Sequence, residues 1–243
     1  MERQKVTPYN KQHVSKTAQV EEMFDLIAHR YDFLNRLLSL GIDKLWRKKA
    51  VSLLKKNNPK IILDVATGTG DFAFESLTLS PQKIIAYDLS ENMLARGKIK
   101  AVNDDKKHII EFVKGDSEKM PYPDHSFDAV TIGFGVRNFE HLYTGLQEIY
   151  RVLRPKSCGV ILEVSQPHHP VIRMLYSLYF KKIIPIVGKY FSHDSRAYSY
   201  LPESVQAFPQ GNDFVKILET VGFKKVYWKP LTLGTCALYY FEK

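Results

Sequence analysis

Ile61-Ile62-Leu63-Asp64-Val65-Ala66-Thr67-Gly68-Thr69-Gly70-Asp71 is the stretch that decides the fold. A short apolar run ends at Asp64, and Gly68 and Gly70 follow within six residues. An apolar run of this length bounded by glycines reads as a buried parallel strand. Phe72, Ala73, Phe74 and Leu77 then suit the first turns of a helix. The unit is a strand, a tight turn and a helix start. Its glycines allow positive φ and let a ligand approach without meeting a Cβ. The carboxyl end of such a strand is where open α/β sheets bind ligands.

The next apolar run, Lys83 to Asp88, is a second strand ending in an acid 18 residues after Gly70. An ionised carboxylate has two acceptor oxygens and can take both hydroxyls of a ribose. Gly68-x-Gly70-x-x-Ala73 also fits the loose dinucleotide fingerprint, which alone is a weak signal. Farther along, Ser90 to Ala101 reads as a helix with Ser90 as its N-cap. Ile109 to Val113 is a third strand, followed by Gly115-Asp116-Ser117. Asp116 there reads either as a partner for an adenine amino group or as a solvated turn acid. Phe127 to Gly133 is the fourth strand, Leu142 to Leu153 a helix ended by Arg154-Pro155, and Gly159 to Val164 the fifth strand. This rhythm predicts a parallel sheet with helices on both faces. Asp213 to Val221 reads as a helix stopped by Gly222. Phe223 to Trp228 and Cys236 to Glu242 read as a hairpin at one sheet edge.

Val20, Met23, Phe24, Ile27, Ala28 and Tyr31 recur at helical spacing, and Leu34, Leu37, Leu38 and Leu40 extend the apolar surface to Gly41. A further helix over Lys44 to Lys56 turns Leu45, Trp46, Ala50, Leu53 and Leu54 inward. The resulting plan is one domain with an N-terminal helical cap (1–58), a cofactor-binding core (59–164), a lid or substrate insertion (165–212) and a C-terminal helix and hairpin (213–243). The insertion is apolar on one side, through residues such as Ile172, Leu175 and Tyr179, and basic through Arg173, Lys181, Lys182 and Lys189. Such a segment suits a lid, a lipid-tail groove or an interfacial helix.

The 243 residues, 44% hydrophobic, suffice for one α/β domain with additions. A net charge of +9 suits nucleic acid, a membrane surface, or neither, since many soluble proteins are modestly basic. Two cysteines make no disulfide framework, so a reducing compartment is expected. Met1 to Lys16 is polar and lacks the apolar core of a signal peptide, and no spanning helix is expected.

Taken together, the Asp-x-x-x-Gly-x-Gly turn, Asp88, Gly-Asp-Ser, Pro-Tyr-Pro-Asp-x-x-Phe-Asp and Arg-Val-Leu-Arg-Pro resemble class I S-adenosylmethionine-dependent methyltransferases. More narrowly, the chain is similar to the family that C-methylates demethylmenaquinol and the benzoquinol precursor of ubiquinone. Arg30-Tyr-Asp-Phe-Leu-Asn35, Ser39-Leu-Gly-Ile-Asp43 with Leu45-Trp46, Gly133-Phe-Gly-Val-Arg-Asn138, Leu162-Glu-Val-Ser165 and Tyr200-Leu-Pro-Glu-Ser204 carry that resemblance over residues 20 to 240. Ala66 stands where many methyltransferases have a first glycine, Gly133 where some members have a serine, and Pro155-Lys-Ser where Pro-Gly-Gly is usual.

The resemblance implies a Rossmann-like fold with a mainly parallel seven-stranded sheet and an antiparallel last strand. It implies S-adenosylmethionine as methyl donor, without a metal. Asp64, Gly68, Thr69 and Gly70 then form the cofactor turn, Asp88 holds the ribose, Asp116 and Ser117 flank the adenine, and Gly133 offers only backbone. Arg137, Asn138 and Tyr31 are the implied catalytic residues. The implied substrate is a polyprenylated quinol: demethylmenaquinol in the last step of menaquinone biosynthesis, or the ubiquinone precursor. The expected location is cytoplasmic, with transient contact at the inner face of the cytoplasmic membrane. A homodimer stays open and no nucleic-acid partner is expected.

The chemistry needs a nucleophilic ring carbon, made so by an ionised hydroxyl, held in line with a methyl donor. A fixed guanidinium such as Arg137 favours the phenolate electrostatically. The proton leaves to water or to a base, for which His29, His141, His168, His169 and His193 are candidates. Three rivals exist. A nicotinamide oxidoreductase seats a pyrophosphate at a helix N-terminus, which Asp71 disfavours. A nucleic-acid methyltransferase of the amino-methylating kind calls for Asn/Asp-Pro-Pro-Tyr/Phe after strand four, where this chain has Gly-Phe-Gly-Val-Arg-Asn. A cofactor-binding protein without catalysis is the third.

Overall fold

The computed structural model of the chain describes residues 6–102, 107–179 and 195–243. Three helices come first: α1 (Lys16–Ile27), α2 (Tyr31–Ser39) and α3 (Asp43–Leu54). The alternating core follows as β1 (Ile61–Val65), α4 (Asp71–Ser76), β2 (Lys83–Asp88), α5 (Glu91–Val102), β3 (Ile110–Lys114), β4 (Phe127–Gly133), α6 (Leu142–Val152) and β5 (Leu153–Val164). Then come α7 (Pro170–Leu178), α8 (Ser195–Ala207), α9 (Asn212–Val221), β6 (Lys224–Leu231) and β7 (Cys236–Glu242).

The strands form one sheet in the order β3-β2-β1-β4-β5-β7-β6. Strands β1 to β5 pair in parallel. β7 runs antiparallel to both β5 and β6. The expected hairpin is present, and its second strand is the inner one. Composition explains the choice: Cys236 to Phe241 are all buried, whereas β6 carries Lys224, Lys225, Lys229 and Pro230 on an exposed edge. Lysine and proline blunt an edge strand and are out of place in a central one.

Side chains of β1 alternate between two cores. Leu63 and Val65 pack with Leu146 and Ile149 of α6 and Phe214 and Leu218 of α9. Ile62 packs on the other face with Ala50, Val51 and Leu54 of α3 and Phe72 and Ala73 of α4.

The structure corrects four expectations. The stripe from Val20 to Tyr31 is broken between Ile27 and Tyr31, so α1 and α2 are separate. Tertiary contacts account for the break: Asp25 accepts the Asn92 N–H at 3.2 Å, and Asp32 pairs with Lys100 at 3.0 Å. Leu45 points outward, 62% exposed, while Trp46 and Arg47 take the inner side. The helix before strand five stops at Val152, ahead of Arg154-Pro155. β5 then begins at Leu153 and jumps register between Phe127 and Ala129 of its partner. Of the basic residues in the insertion, Lys181, Lys182 and Lys189 lie outside the described residues, as does His193.

β1 lies between β2 and β4, so the chain leaves its carboxyl end toward one side and that of β4 toward the other. Such a switch point opens a crevice. Two turns cross there. Ala66 has φ +52, and a Cβ on Gly135 would collide with the Ala66 Cβ and meet no other atom closer than 3.7 Å. Gly135→Ala should destabilise by about 1–3 kcal/mol through overpacking. Ala66→Gly alone should change stability by less than about 1 kcal/mol, since relief of a left-handed alanine offsets the added chain freedom. The double variant should recover most of the Gly135→Ala loss in denaturant titrations. A double variant as unstable as Gly135→Ala would contradict this crossing.

Candidate active site

Asp64 is fully buried at the end of β1. It accepts hydroxyl hydrogen bonds from Thr67 at 2.5 Å and from Thr131 of β4 at 2.6 Å. Burial pushes its carboxyl up to about 7, against the pull of those two hydroxyls and the Ala73 backbone N–H. Asp64 therefore ties β1, β4 and the glycine turn together from below. Thr69 is also buried, and its hydroxyl donates to Asp32 of α2. Gly70 has φ +85 and caps α4. Asp64, Thr69 and Gly70 thus stand behind the crevice, and Ala66 and Gly68 line it.

The crevice encloses about 670 Å³ counting its mouth. Gly68, Asp88, Asp116, Ser117, Gly133 and Asn138 are among its lining residues. Asp88 is half-buried and held by two backbone donors, Gly68 N to Oδ2 at 2.7 Å and Ser90 N to Oδ1 at 2.9 Å. Each oxygen keeps a lone pair for a ribose hydroxyl. Burial raises the carboxyl to about 6, although those N–H groups favour the ionised form and Asp25 adds further repulsion. Asp116 accepts the Glu118 N–H at 2.9 Å, which fixes the turn. A Cβ on Gly115 would strike the Tyr87 hydroxyl, so the wall admits only glycine there. A Cβ on Gly68, at φ +58, would meet only the Tyr31 ring at 3.7 Å. The turn therefore leaves open space above its backbone, within an acid-lined slot.

α1 roofs the crevice. Lys16 donates to the carbonyls of Arg137 and Phe139, both at 2.9 Å. Glu140 accepts from the Thr17 N–H at 2.9 Å and from its hydroxyl at 3.0 Å, placing an anion at the α1 N-terminus, where it is favoured. α2 is latched to the glycine turn by Lys100, whose Nζ reaches Asp32 at 3.0 Å, Asp71 at 2.6 Å and the Thr69 hydroxyl at 2.9 Å. Arg47 of α3 adds a second cation to Asp71 at 3.2 Å. The helix N-terminus that would seat a pyrophosphate is filled by this paired carboxylate.

A second cavity, about 1710 Å³ with its open mouth, lies between α2, α3, α7 and α8. Its walls are mostly apolar, including Leu34, Leu38, Ile172 and Leu175. Phe24, Tyr31 and Phe134 line both cavities, so the two meet there. Arg137 and Asn138 diverge: Arg137 lines the apolar cavity and Asn138 the crevice. Arg137 Nη1 donates to Glu163 at 2.7 Å and to the Phe134 carbonyl. Burial works most strongly against the guanidinium charge, but Glu163, Tyr200 and Tyr31 together favour it, so the Arg137 pKa lies above its ordinary value. Asn138 Oδ1 accepts from the Tyr200 hydroxyl at 3.1 Å. Burial pushes Tyr200 up to about 12 and raises Tyr31 as well, so both phenols are neutral.

None of His29, His141, His168 and His169 lines either cavity. His141 pairs with Glu118 at 2.8 Å, and His168 packs edge-on against Trp228. Among the described residues no cluster of three His, Cys, Asp or Glu side chains could hold a metal, and no helix is long and apolar enough to cross a membrane. Asp32, Tyr200 and Glu163 fall within the stretches that carry the family resemblance but had no role assigned to them, and Lys100 was not singled out. Glu163 had a signal, a lone acid within the apolar strand Val160 to Val164. Lys100 had none, since it looks like any solvated helix lysine.

A doubly wound sheet with an acid-tipped nucleoside crevice at its switch point and an antiparallel last strand defines a class I methyltransferase. The chain belongs to the ubiE/COQ5 methyltransferase family, which it matches over residues 12–243. It is 44% identical over 237 residues to the demethylmenaquinone methyltransferase of Bacteroides fragilis, covering 97% of this chain and 96% of that protein. It is 44% identical over 230 residues to the ubiquinone/menaquinone biosynthesis C-methyltransferase UbiE of Geotalea daltonii, covering 94% of this chain and 97% of that one. The crystal structure of a SAM-dependent methyltransferase from Aquifex aeolicus shares the fold, with a TM-score of 0.56 at 19% identity over 79% of this chain and 87% of that one.

Two outcomes follow for the crevice. Asp88→Ala should weaken S-adenosylmethionine binding by on the order of 2–4 kcal/mol without unfolding the protein, because two bonds to a charged acceptor are lost. The raised carboxyl also sets a sign with pH. In the ligand-free protein ionised Asp88 is a cost, so its contribution to stability is present below the ordinary carboxyl range and is lost as pH rises to about 6. A ribose bound to the ionised form requires proton release below that value. Calorimetric Kd should therefore be flat above pH about 6 and rise up to about tenfold per unit below it. In Asp88→Asn binding should be weak with no such slope; a wild-type slope in that variant would remove Asp88 as its origin.

Proposed function

We propose that this enzyme methylates a ring carbon of demethylmenaquinol to give menaquinol, the final step of menaquinone biosynthesis. The observation that carries the proposal is the meeting of a nucleoside crevice and a large apolar cavity at Phe24, Tyr31 and Phe134. One cavity suits a water-soluble methyl donor and the other a ring with a prenyl tail. Aromatic walls hold a flat ring by stacking and edge contacts. Within the segment 165–212, α7 and α8 serve as the substrate lid. When bound, S-adenosylmethionine supplies an electrophilic sulfonium methyl. Asp88 fixes the donor's ribose and Arg137 stabilises the developing ring phenolate. Holding both reactants aligned is the largest available contribution to rate. The ring carbon gains the methyl and loses its hydrogen as a proton to water. The name of the Bacteroides fragilis relative favours the menaquinol ring. The benzoquinol precursor is the second reading, favoured by the name of the Geotalea daltonii relative.

The quinol requirement is testable. With labelled methyl donor and reductant, demethylmenaquinol should gain label on a ring carbon. The oxidised quinone, kept from reduction, has no hydroxyl to ionise and should gain none. Equal labelling of quinone and quinol would defeat the phenolate mechanism.

The same proposal calls for contact with the cytoplasmic face of the membrane. Leu40 ends α2 at φ +51 and is 80% exposed; Leu233 tips the β6–β7 turn at φ +58 and is 72% exposed. Val171, Met174 and Leu178 of α7 are exposed beside the same cavity. Arg36, Lys44 and Arg173 are exposed nearby, and no ion pair engages them among the described residues. Each such cation contributes about 1 kcal/mol at an anionic surface. Leu40→Asn with Leu233→Asn should keep both turns, because asparagine tolerates left-handed φ. The double variant should lose liposome sedimentation and activity on long-tailed quinol, yet keep activity on a short-tailed quinol in detergent. Unchanged sedimentation would remove this rim as the contact surface.

A further inference from the structure

We propose that Glu163 is the positioning residue of the methylation site: it holds Arg137 so that the Nε edge of the guanidinium faces the reacting ring, and it offsets the charge of Arg137. The proposal rests on the quinol reading of the two cavities and adds a residue to it.

Glu163 closes β5 next to β4 and is 1% exposed. Its carboxylate is held on three sides. Oε1 accepts from Arg137 Nη1 at 2.7 Å and from the Val164 N–H at 2.9 Å, and Oε2 accepts from the Arg137 N–H at 3.3 Å. The Arg137 side chain is itself only 8% exposed. With Nη1 engaged by Glu163 and the Phe134 carbonyl, Nε remains as a buried donor with no acceptor. An unmet buried donor is costly, and native structures keep one where a ligand completes it. Arg137 lines the apolar cavity, and in this proposal a ring oxygen seated there meets Nε once the side chains now covering that atom give way.

Among the described residues the ionisable groups around the ring can be named. Tyr31 of α2, Tyr176 of α7 and Tyr200 of α8 all feel the Arg137 charge, and burial holds each phenol above its ordinary range and therefore neutral. Asp43 and Arg47 of α3 line the same cavity as a mutual ion pair. Lys16 of α1 meets the Arg137 carbonyl, and Asp88 lies in the adjoining crevice. Glu163 is thus the anion in direct contact with Arg137. It gives Arg137 direction, at the expense of some pull on the phenolate. Those two effects separate by substitution.

Glu163→Asp keeps the charge and withdraws the carboxylate by one methylene. Its kcat on short-tailed demethylmenaquinol in detergent should fall about tenfold or more, with S-adenosylmethionine Kd within about twofold and the acid limb of the pH profile unmoved. Glu163→Gln keeps the shape and removes the charge. Its acid limb should move to lower pH by about one unit, because the uncompensated guanidinium favours phenolate. A filler role would instead lower melting temperature and donor binding together and leave the limb in place. Wild-type kcat in Glu163→Asp, or an unmoved limb in an active Glu163→Gln that binds the donor normally, would overturn the proposal. Failure of the wild-type protein to methylate the quinol at all would instead strike the substrate reading, so the two are distinguishable.

Discussion

A carboxylate that water does not reach holds the site together. Asp64 sits at the end of the first strand, and its two oxygens are taken by hydroxyls from the turn above and the strand beside it. The bond to Thr131 crosses 67 residues of sequence. It pins β1 to β4, its parallel neighbour, at the place where the winding of the chain about the sheet reverses. Burying such a group is unfavourable unless its acceptors are satisfied, and the threonines do this. The helix that follows presents its N-terminal N–H groups nearby, and that end favours negative charge. The glycine turn therefore has a fixed floor, and Gly68 can serve as an open, Cβ-free ledge.

From that floor the geometry of two compartments follows. The loops after β1 and β4 cross at Ala66 and Gly135, and the crevice lies between them. The loop after β4 then passes Phe134 and Arg137 to the apolar side and Asn138 to the polar side. α1 and α2 close over both compartments, held by Lys16, Asp25 and Asp32. A water-soluble donor and an apolar ring can thus enter from different environments and meet at one aromatic wall. Nothing in this arrangement asks for a strong base. On the proposed reading both reactants are positioned, and the ring's charge is met by Arg137, whose Nη1 is bound to the buried Glu163.

The sheet was legible in the sequence because its signals are local. The run from Ile61 to Asp64, the glycines after it and the acid at Asp88 are strand and turn punctuation read within a few residues. Gly222 and Ser90 ended and began helices where their chemistry predicts. The break between Ile27 and Tyr31 was not legible, since the apolar stripe runs through it and the partners of Asp25 and Asp32, on α5 and the glycine turn, lie far along the chain. Leu45 faces out because Trp46 and Arg47 have partners inside, at Thr232 and Asp71. The order of β7 and β6 turned on lysines whose meaning depends on which strand is the edge. The site divided in the same way. Residues on the glycine turn and the strand tips were named from motif and resemblance. Lys100 and Glu163 act through partners 26 to 68 residues away, and no spacing rule joins such pairs.

The account stands or falls on where the two reactants lie relative to Phe24, Tyr31 and Phe134. A crystal structure of the protein with S-adenosylhomocysteine and a hydroxylated naphthalene analogue of the quinol measures this directly. The ribose hydroxyls should lie on Asp88, the sulfur should face the aromatic wall, and a ring oxygen should accept from Arg137 Nε. A ring bound outside the apolar cavity, or a ring oxygen with no contact to Arg137, would contradict the account.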